Sequence, residues 1–227
     1  MGPSDGVTIK GAKDRASDNS GGAGSQVGDV IEAAVDHFMT KGPSGLVEPV
    51  ETPLFRVVLY TDIVDSTKIN VSLGDQRFVA MMRAHDAIVR RRLREFEGEE
   101  YKHTGDGFAA TFIRSHQAIE FSERLHDDLD HVDPVDGDRR LTVRIGMSAG
   151  MVLPEGGDFF GLCVIRAVRL CAAAGPGETL ADAEVLAGLD RPDHEYPLIG
   201  DIELKGLPGR TTVYGIRKAG SNEDELG

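Results

Sequence analysis

The sequence predicts an α+β sandwich: helices packed on a mixed, mainly antiparallel sheet, with a core in the order βαββαβ and further strands near the C-terminal end. Three observations predict it. The β-rich run Phe55-Arg56-Val57-Val58-Leu59-Tyr60 is followed by a long stretch of helical periodicity. Two β-prone runs flank Gly105-Asp106-Gly107, an arrangement that signals a tight hairpin. A second helix and an alternating strand then follow, so strands and helices recur in one order along a single chain.

Each element has its own signal. Ser66 and Thr67 are candidate N-caps for a helix whose apolar positions Phe78, Met81, Met82, His85, Ile88, Val89, Leu93 and Phe96 keep a period near 3.6. Gly98 ends it. Residues 100–104 and 108–112 form the hairpin arms, residues 115–128 read as a helix, and 131–139 as a polar loop. Residues 141–147 alternate as a strand, and 161–174 read as a helix closed by Gly175-Pro176-Gly177. Shorter strands are expected near 178–180, 203–205 and 211–216. The βαββαβ order makes the core ferredoxin-like.

The chain has 227 residues, with 25 Lys and Arg against 38 Asp and Glu, a formal charge of −13. That balance disfavours a nucleic-acid backbone as partner. No apolar run approaches the 18 residues of a membrane span, and Met1-Gly2-Pro3-Ser4-Asp5 lacks a signal-peptide pattern. A soluble cytoplasmic protein without membrane contact is expected. Residues 1–26 include ten Gly or Ser, so ordering them costs backbone entropy with little to bury, and a flexible tail is expected. Val27, Ile31, Val35 and Phe38 recur at helical spacing, which makes 27–50 a short helix and linker ahead of a folded body at 51–218, with 219–227 a C-terminal tail. Cys163 and Cys171 have no CxxC or His companion at zinc spacing and read as small buried hydrophobes.

Two carboxylates stand at the ends of predicted buried elements. Asp62 closes an apolar strand, and Asp106 lies between two glycines at a hairpin tip. If the strands are neighbours, hard oxygen donors on rigid tips beside a helix N-terminus form a place for Mg²⁺ and the phosphates it carries. Singly, each could equally be a cap or a turn former.

The strings Leu59-Tyr60-Thr61-Asp62-Ile63-Val64-Asp65-Ser66-Thr67, Lys102-His103-Thr104-Gly105-Asp106-Gly107-Phe108 and Asp158 to Leu170 resemble the signature blocks of the class III adenylate/guanylate cyclase catalytic domain, in order and at ordinary spacing. Glu203-Leu204-Lys205-Gly206-Leu207-Pro208-Gly209 is similar to that family's late Leu-Lys-Gly turn, and the resemblance covers roughly residues 54 to 217. It implies that Asp62 and Asp106 bind two Mg²⁺ or Mn²⁺ ions, with the Ile63 carbonyl as a further ligand. Lys102 and Asp158 would read the purine, Arg169 would stabilise charge on the reacting phosphate, and Lys205 would hold the terminal phosphates. The implied activity is adenylate cyclase signalling chemistry, ATP to 3′,5′-cyclic AMP and pyrophosphate.

Base choice follows from donors and acceptors. Lys102 can donate to adenine N1 while Asp158 accepts from the N6 amine, whereas guanine opposes both. Lys102 and Asp106 are four residues apart, so their backbones lie up to roughly 13 Å apart on an extended chain. The resemblance supplies the remedy: a head-to-tail homodimer in which the metal aspartates come from one copy and Lys102, Asp158, Arg169 and Lys205 from the other.

One position departs from the pattern. Where the family has Asn, four residues before Arg169, this chain has Ile165, which cannot hydrogen-bond a ribose. Slow turnover is expected, or a cyclase-like module that binds nucleotide and scarcely converts it. Arg166 is a poor substitute, because adjacent helical residues point about 100° apart. Arg90, Arg91, Arg92 and Arg94 read as a solvated helix face, His85 as a satisfied core histidine, and His103 as facing away from Lys102.

Overall fold

The computed structural model describes residues 52–135, 137–187, 189 and 194–218. The expected tail at 1–26, the helix and linker at 27–50 and the tail at 219–227 lie outside the described residues. In chain order the elements are β1 (Leu54–Ile63), α1 (Ser66–Leu73), α2 (Asp75–Glu95), β2 (Glu99–His103), β3 (Phe108–Phe112), α3 (Ser115–Asp130), β4 (Val143–Glu155), β5 (Asp158–Phe160), α4 (Leu162–Ala173), β6 (Thr179–Asp182), α5 (Ala183–Leu186), β7 (His194–Glu195), β8 (Leu198–Ile202), β9 (Thr211–Gly215) and β10 (Arg217–Lys218). The main sheet runs β2-β3-β1-β4-β6-β9-β8, so the expected α+β sandwich with a mixed sheet is the observed fold. β4 and β6 are parallel, and the other ladders of that sheet are antiparallel.

The period-2 alternation of β1 sorts its side chains onto two faces. Val57, Leu59 and Ile63 join Phe108, Phe112 and Ile145 against α2 and α3, which contribute Val89, Leu93, Phe121 and Leu125. Val58 and Tyr60 face the other way, with Ala109 and Val152, and meet Cys163, Ala167, Val168 and Cys171 of α4. Both cysteines are free and buried, as their reading as small hydrophobes requires, and burial pushes the Cys163 thiol up to about 11.

α4 crosses this face at Gly146. A Cβ there would lie 2.0 Å from the Cys171 amide nitrogen and 2.3 Å from the Ala167 carbonyl oxygen, both rigid backbone atoms. Gly146→Ala is therefore expected to destabilise the domain by about 3 kcal/mol, seen in calorimetry as a melting temperature lower by roughly 6 to 12 °C.

Several boundaries differ from expectation, each for a local reason. The long helix after β1 is two helices, because Gly74 takes φ +74 between α1 and α2. Asp65, in the left-handed region at φ 57, occupies the N-cap place of α1 rather than Ser66 or Thr67. The strand expected at 203–205 is a turn, closed by the Leu207 amide donating to the Leu204 carbonyl at 3.0 Å, and the neighbouring strand is β8. β4 runs past 147 to Glu155 and turns through Gly156 and Gly157, both at positive φ, into β5. Beyond Val152, β4 leaves its partner β1 and pairs with β5 instead. Among the described residues no helix is long and apolar enough to cross a membrane.

Candidate active site

The two carboxylates come together. The Ile63 amide donates to the Asp106 carbonyl at 3.2 Å, which holds the hairpin tip against the end of β1. Gly107 permits this approach, since a Cβ there would lie 2.1 Å from the Thr61 carbonyl oxygen. The Asp106 carboxylate accepts a hydrogen bond from the Ser66 hydroxyl at 2.6 Å, the first residue of α1. Ser66 therefore serves the hairpin rather than its own helix.

Asp62 faces Arg144 across the β1–β4 ladder, and the guanidinium donates twice to Asp62 Oδ2, at 2.8 and 2.5 Å. Burial, the largest influence, raises the Asp62 pKa; Arg144 opposes this, and the charge of Asp106 adds to the rise. A half-buried pair of carboxylates, with the Asp62 group raised chiefly by its own burial, favours a cation between or beside them. The donor set, carboxylate oxygens on two rigid tips, fits a hard divalent ion. Arg144 is the functional candidate that sequence reading missed: in isolation it is one polar residue in an alternating strand, and its register opposite Asp62 is what singles it out.

A second group forms on β2 and β5. Lys102 Nζ lies 2.8 Å from Asp158 Oδ2, with both side chains about a third exposed. Lys102 opposes Ala109, which opposes Tyr60, so Lys102, Tyr60 and Asp62 share one face of the sheet. His103 pairs with Phe108 on the opposite face, packs edge-on against its ring and contacts Asp86, as its alternation requires.

The third group lies at the end of α4 and the turn after β8. Leu204 is buried with Leu170, which anchors the turn carrying Lys205. Gly206 takes φ +80, and a Cβ on it would come within 4.0 Å of an Arg169 terminal nitrogen. The Arg169 Nε is buried without a hydrogen-bond partner among the described residues. An open cavity of about 480 Å³ lies against the turn, lined in part by Glu203, Lys205, Gly206 and Arg210. Arg210 is held there by Glu203 at 3.8 Å and by the Asp201 carbonyl, which leaves Lys205, beside a positive-φ glycine, as the cation that suits an anion.

Ile165, four residues before Arg169, lies on the same stripe of α4. Arg166 is turned away and committed elsewhere: it lies 2.9 Å from Asp182, a fully buried carboxylate that also accepts from Ser148 and the Val185 amide. Among the described residues no hydrogen bond or ion pair links Asp62 or Asp106 to Lys102, Asp158, Arg169 or Lys205.

Two lesser readings are corrected. The arginine face of α2 is cross-linked rather than merely solvated, with Arg90 bidentate to Glu100 and Arg92 bidentate to Asp128. His85 is a buried core histidine whose Nδ1 lies 3.2 Å from Asp86, but its Nε2 has no hydrogen-bond partner among the described residues; burial depresses its pKa.

The chain belongs to the adenylate and guanylate cyclase catalytic domain family, whose model matches residues 56–218. Members of this family use divalent metal ions, bind a nucleotide and typically dimerise. An adenylate cyclase of Mycosarcoma maydis is 30% identical over 71% of this chain, and an uncharacterised protein of Mycobacterium bovis is 27% identical over 80%. The alignments span 8% and 47% of those two relatives' lengths. Among solved structures, the catalytic core of a rhodopsin-guanylyl cyclase with converted specificity, in complex with ATPαS, superposes with a TM-score of 0.68 at 16% identity, covering 75% of this chain and 99% of that one. An adenylate cyclase of Trypanosoma brucei in its monomeric state gives 0.66 at 19% identity, covering 79% and 95%.

Proposed function

We propose that residues 51–218 form an adenylate cyclase catalytic domain that converts ATP to 3′,5′-cyclic AMP and pyrophosphate at sites shared between two copies arranged head to tail. The observation that carries the choice of ATP is the Lys102–Asp158 pair at 2.8 Å. A donor and an acceptor at that spacing match adenine N1 and N6, and both mismatch guanine.

Asp62, Asp106 and the Ile63 carbonyl would hold two Mg²⁺ or Mn²⁺ ions, which lower the pKa of a bound hydroxyl and neutralise phosphate charge. The ribose 3′-oxygen attacks the α-phosphorus; that O–P bond forms, the bond to the bridging α–β oxygen breaks, and pyrophosphate leaves with the electron pair while the 3′-proton passes to solvent. Arg169 faces the charge that develops at the α-phosphate, and Lys205 with Arg144 the terminal phosphates. These residues bind and orient the substrate for in-line displacement.

Sharing of the site is supported by what fills the ground between its halves. On an ideal sheet Lys102 and Asp62 lie two strands and about two residues apart, roughly 12 Å between backbones. Tyr60, Tyr101 and Phe159 occupy that face beneath α4, in one cluster with Cys163 and Ala167. A triphosphate reaching across one copy would have to displace them.

The test is turnover of ATP against GTP with Mg²⁺ or Mn²⁺ over a protein dilution series, scoring cyclic nucleotide and pyrophosphate. ATP should be preferred by at least about 10²-fold in kcat/KM, and activity per copy should fall on dilution. Equal use of both nucleotides would refute the adenine reading. The same assay examines Ser66→Ala, which should raise the Mn²⁺ concentration for half-maximal activity and lower kcat/KM by about 10- to 100-fold. Ser66→Thr, which keeps the hydroxyl, should stay near wild type. Ile165 favours a second reading, a nucleotide-binding partner module; ATP binding by calorimetry without cyclic AMP formation would select it.

A further inference from the structure

We propose that Tyr101, with Phe159 and Tyr60, is a positioning device for base selection that holds the Lys102–Asp158 pair at adenine spacing. The inference rests on the adenine reading above and adds residues to it.

The strands carrying that pair share no backbone ladder. β2 pairs with β3, and β5 pairs with the stretch of β4 that runs on past the start of β1. Side chains must therefore set the distance from Lys102 to Asp158, and the residues next to each of them do. Tyr101 precedes Lys102 and Phe159 follows Asp158, and their rings meet edge to face at 5.1 Å and 83°.

A bulge in β2 puts Tyr101 and Lys102 on one face. Glu100 opposes Ala110 and Lys102 opposes Ala109, which leaves Tyr101 as the extra residue of β2. A bulge lets two successive side chains approach one face. Glu100 opposes Ala110 on the other face, so alternation carries Tyr101 to the α4 face, and the bulge keeps Lys102 on that face beside it, where strict alternation would send it to the other. Its hydroxyl donates to the Tyr60 hydroxyl at 2.9 Å, and their rings are 6.3 Å apart at 85°. Ala109, on the strand between them, is small and fully buried, which leaves room for two tyrosines to meet over it.

Burial pushes the Tyr60 hydroxyl up to about 12 and raises that of Tyr101 well above its ordinary value, so both stay neutral hydrogen-bonding groups. The chain of contacts runs Tyr60, Tyr101, Phe159, from the central strand β1 to the peripheral β5. Each edge-to-face pair adds stabilisation beyond the area it buries. Lys102 and Asp158, each about a third exposed, would otherwise be free to vary their separation.

A positioning role and a merely structural one differ in what they do to selectivity. Loss of stability lowers the active fraction for both nucleotides alike, so the ratio of kcat/KM for ATP to that for GTP is unchanged. Loss of the adenine spacing lowers the ratio itself. The experiment measures that ratio for wild type, Lys102→Ala, Tyr101→Phe, Tyr101→Leu and Phe159→Leu, using the active protein and competing ATP and GTP. We expect Tyr101→Leu and Phe159→Leu to lower the ratio about tenfold, with KM for ATP rising more than kcat falls, and Tyr101→Phe to lie between them and wild type. An unchanged ratio in both leucine variants, with Lys102→Ala lowering it, would overturn the inference and leave the adenine reading standing. A wild type without ATP preference, or a Lys102→Ala variant with the wild-type ratio, would instead overturn the adenine reading and this inference with it. Should a leucine variant fail to fold, Tyr101→Phe, which removes one oxygen, carries the test: a wild-type ratio there with a folded thermal transition counts against the hydroxyl link.

Discussion

Mixing Asp62→Ala protein with Lys102→Ala protein should restore activity that neither variant has alone. Each variant by itself is expected to turn over ATP about 10³-fold more slowly: Asp62→Ala removes a metal-holding carboxylate and leaves Arg144 without its partner, and Lys102→Ala removes the base-reading donor. In a random mixture half of the dimers are mixed, and each mixed dimer has one site with both defects and one with neither. About a quarter of wild-type activity should therefore return. The measurement is cyclic AMP formation after co-expression or subunit exchange, with mixed dimers confirmed by differential tagging. Confirmed mixed dimers that remain inactive would show that the site is contained within one copy. The structure makes this a sharp test, because the two mutated residues lie on one face of one sheet with an aromatic cluster between them.

The second large effect is a gain. Ile165→Asn should raise kcat by roughly 10- to 150-fold, by restoring about 1.5 to 3 kcal/mol of positioning contact with the ribose. Ile165 is half-buried on the stripe of α4 that carries Arg169, so an amide there points where the arginine points. The neighbouring Arg166 cannot supply this contact, being held by buried Asp182. Steady-state kinetics with ATP decide the matter, and no gain in kcat would mean that position 165 does not face the ribose.

Much of the fold was legible because its strands obey simple periods. The alternation in β1 and the Asp-Gly turn between β2 and β3 follow from local chemistry, and the sheet order then brings Asp62 to Asp106. What escaped was whatever depends on pairing between distant segments. Arg144 reads as an ordinary strand residue until β4 is laid beside β1. Ser66 reads as a helix cap until the hairpin tip reaches it. The 203–205 run has strand-like composition, but burial of Leu204 against Leu170 bends it into a turn and so presents Lys205. The extension of β4 past β1 after Val152 was equally hidden, since Gly156-Gly157 reads as a loop and the three-residue β5 is too short to announce itself. Lys102 and Asp158 were singled out by resemblance, and their contact by the fold.

The Arg144–Asp62 contact has a consequence for the order of events on the proposed reading. An empty domain already carries its own counter-charge, so a divalent ion arriving alone must compete with a tethered guanidinium for the same oxygen. A triphosphate gives that guanidinium somewhere better to go. Ion and nucleotide would thus each ease the other's entry, a reciprocal linkage that disfavours capture of either one without its companion.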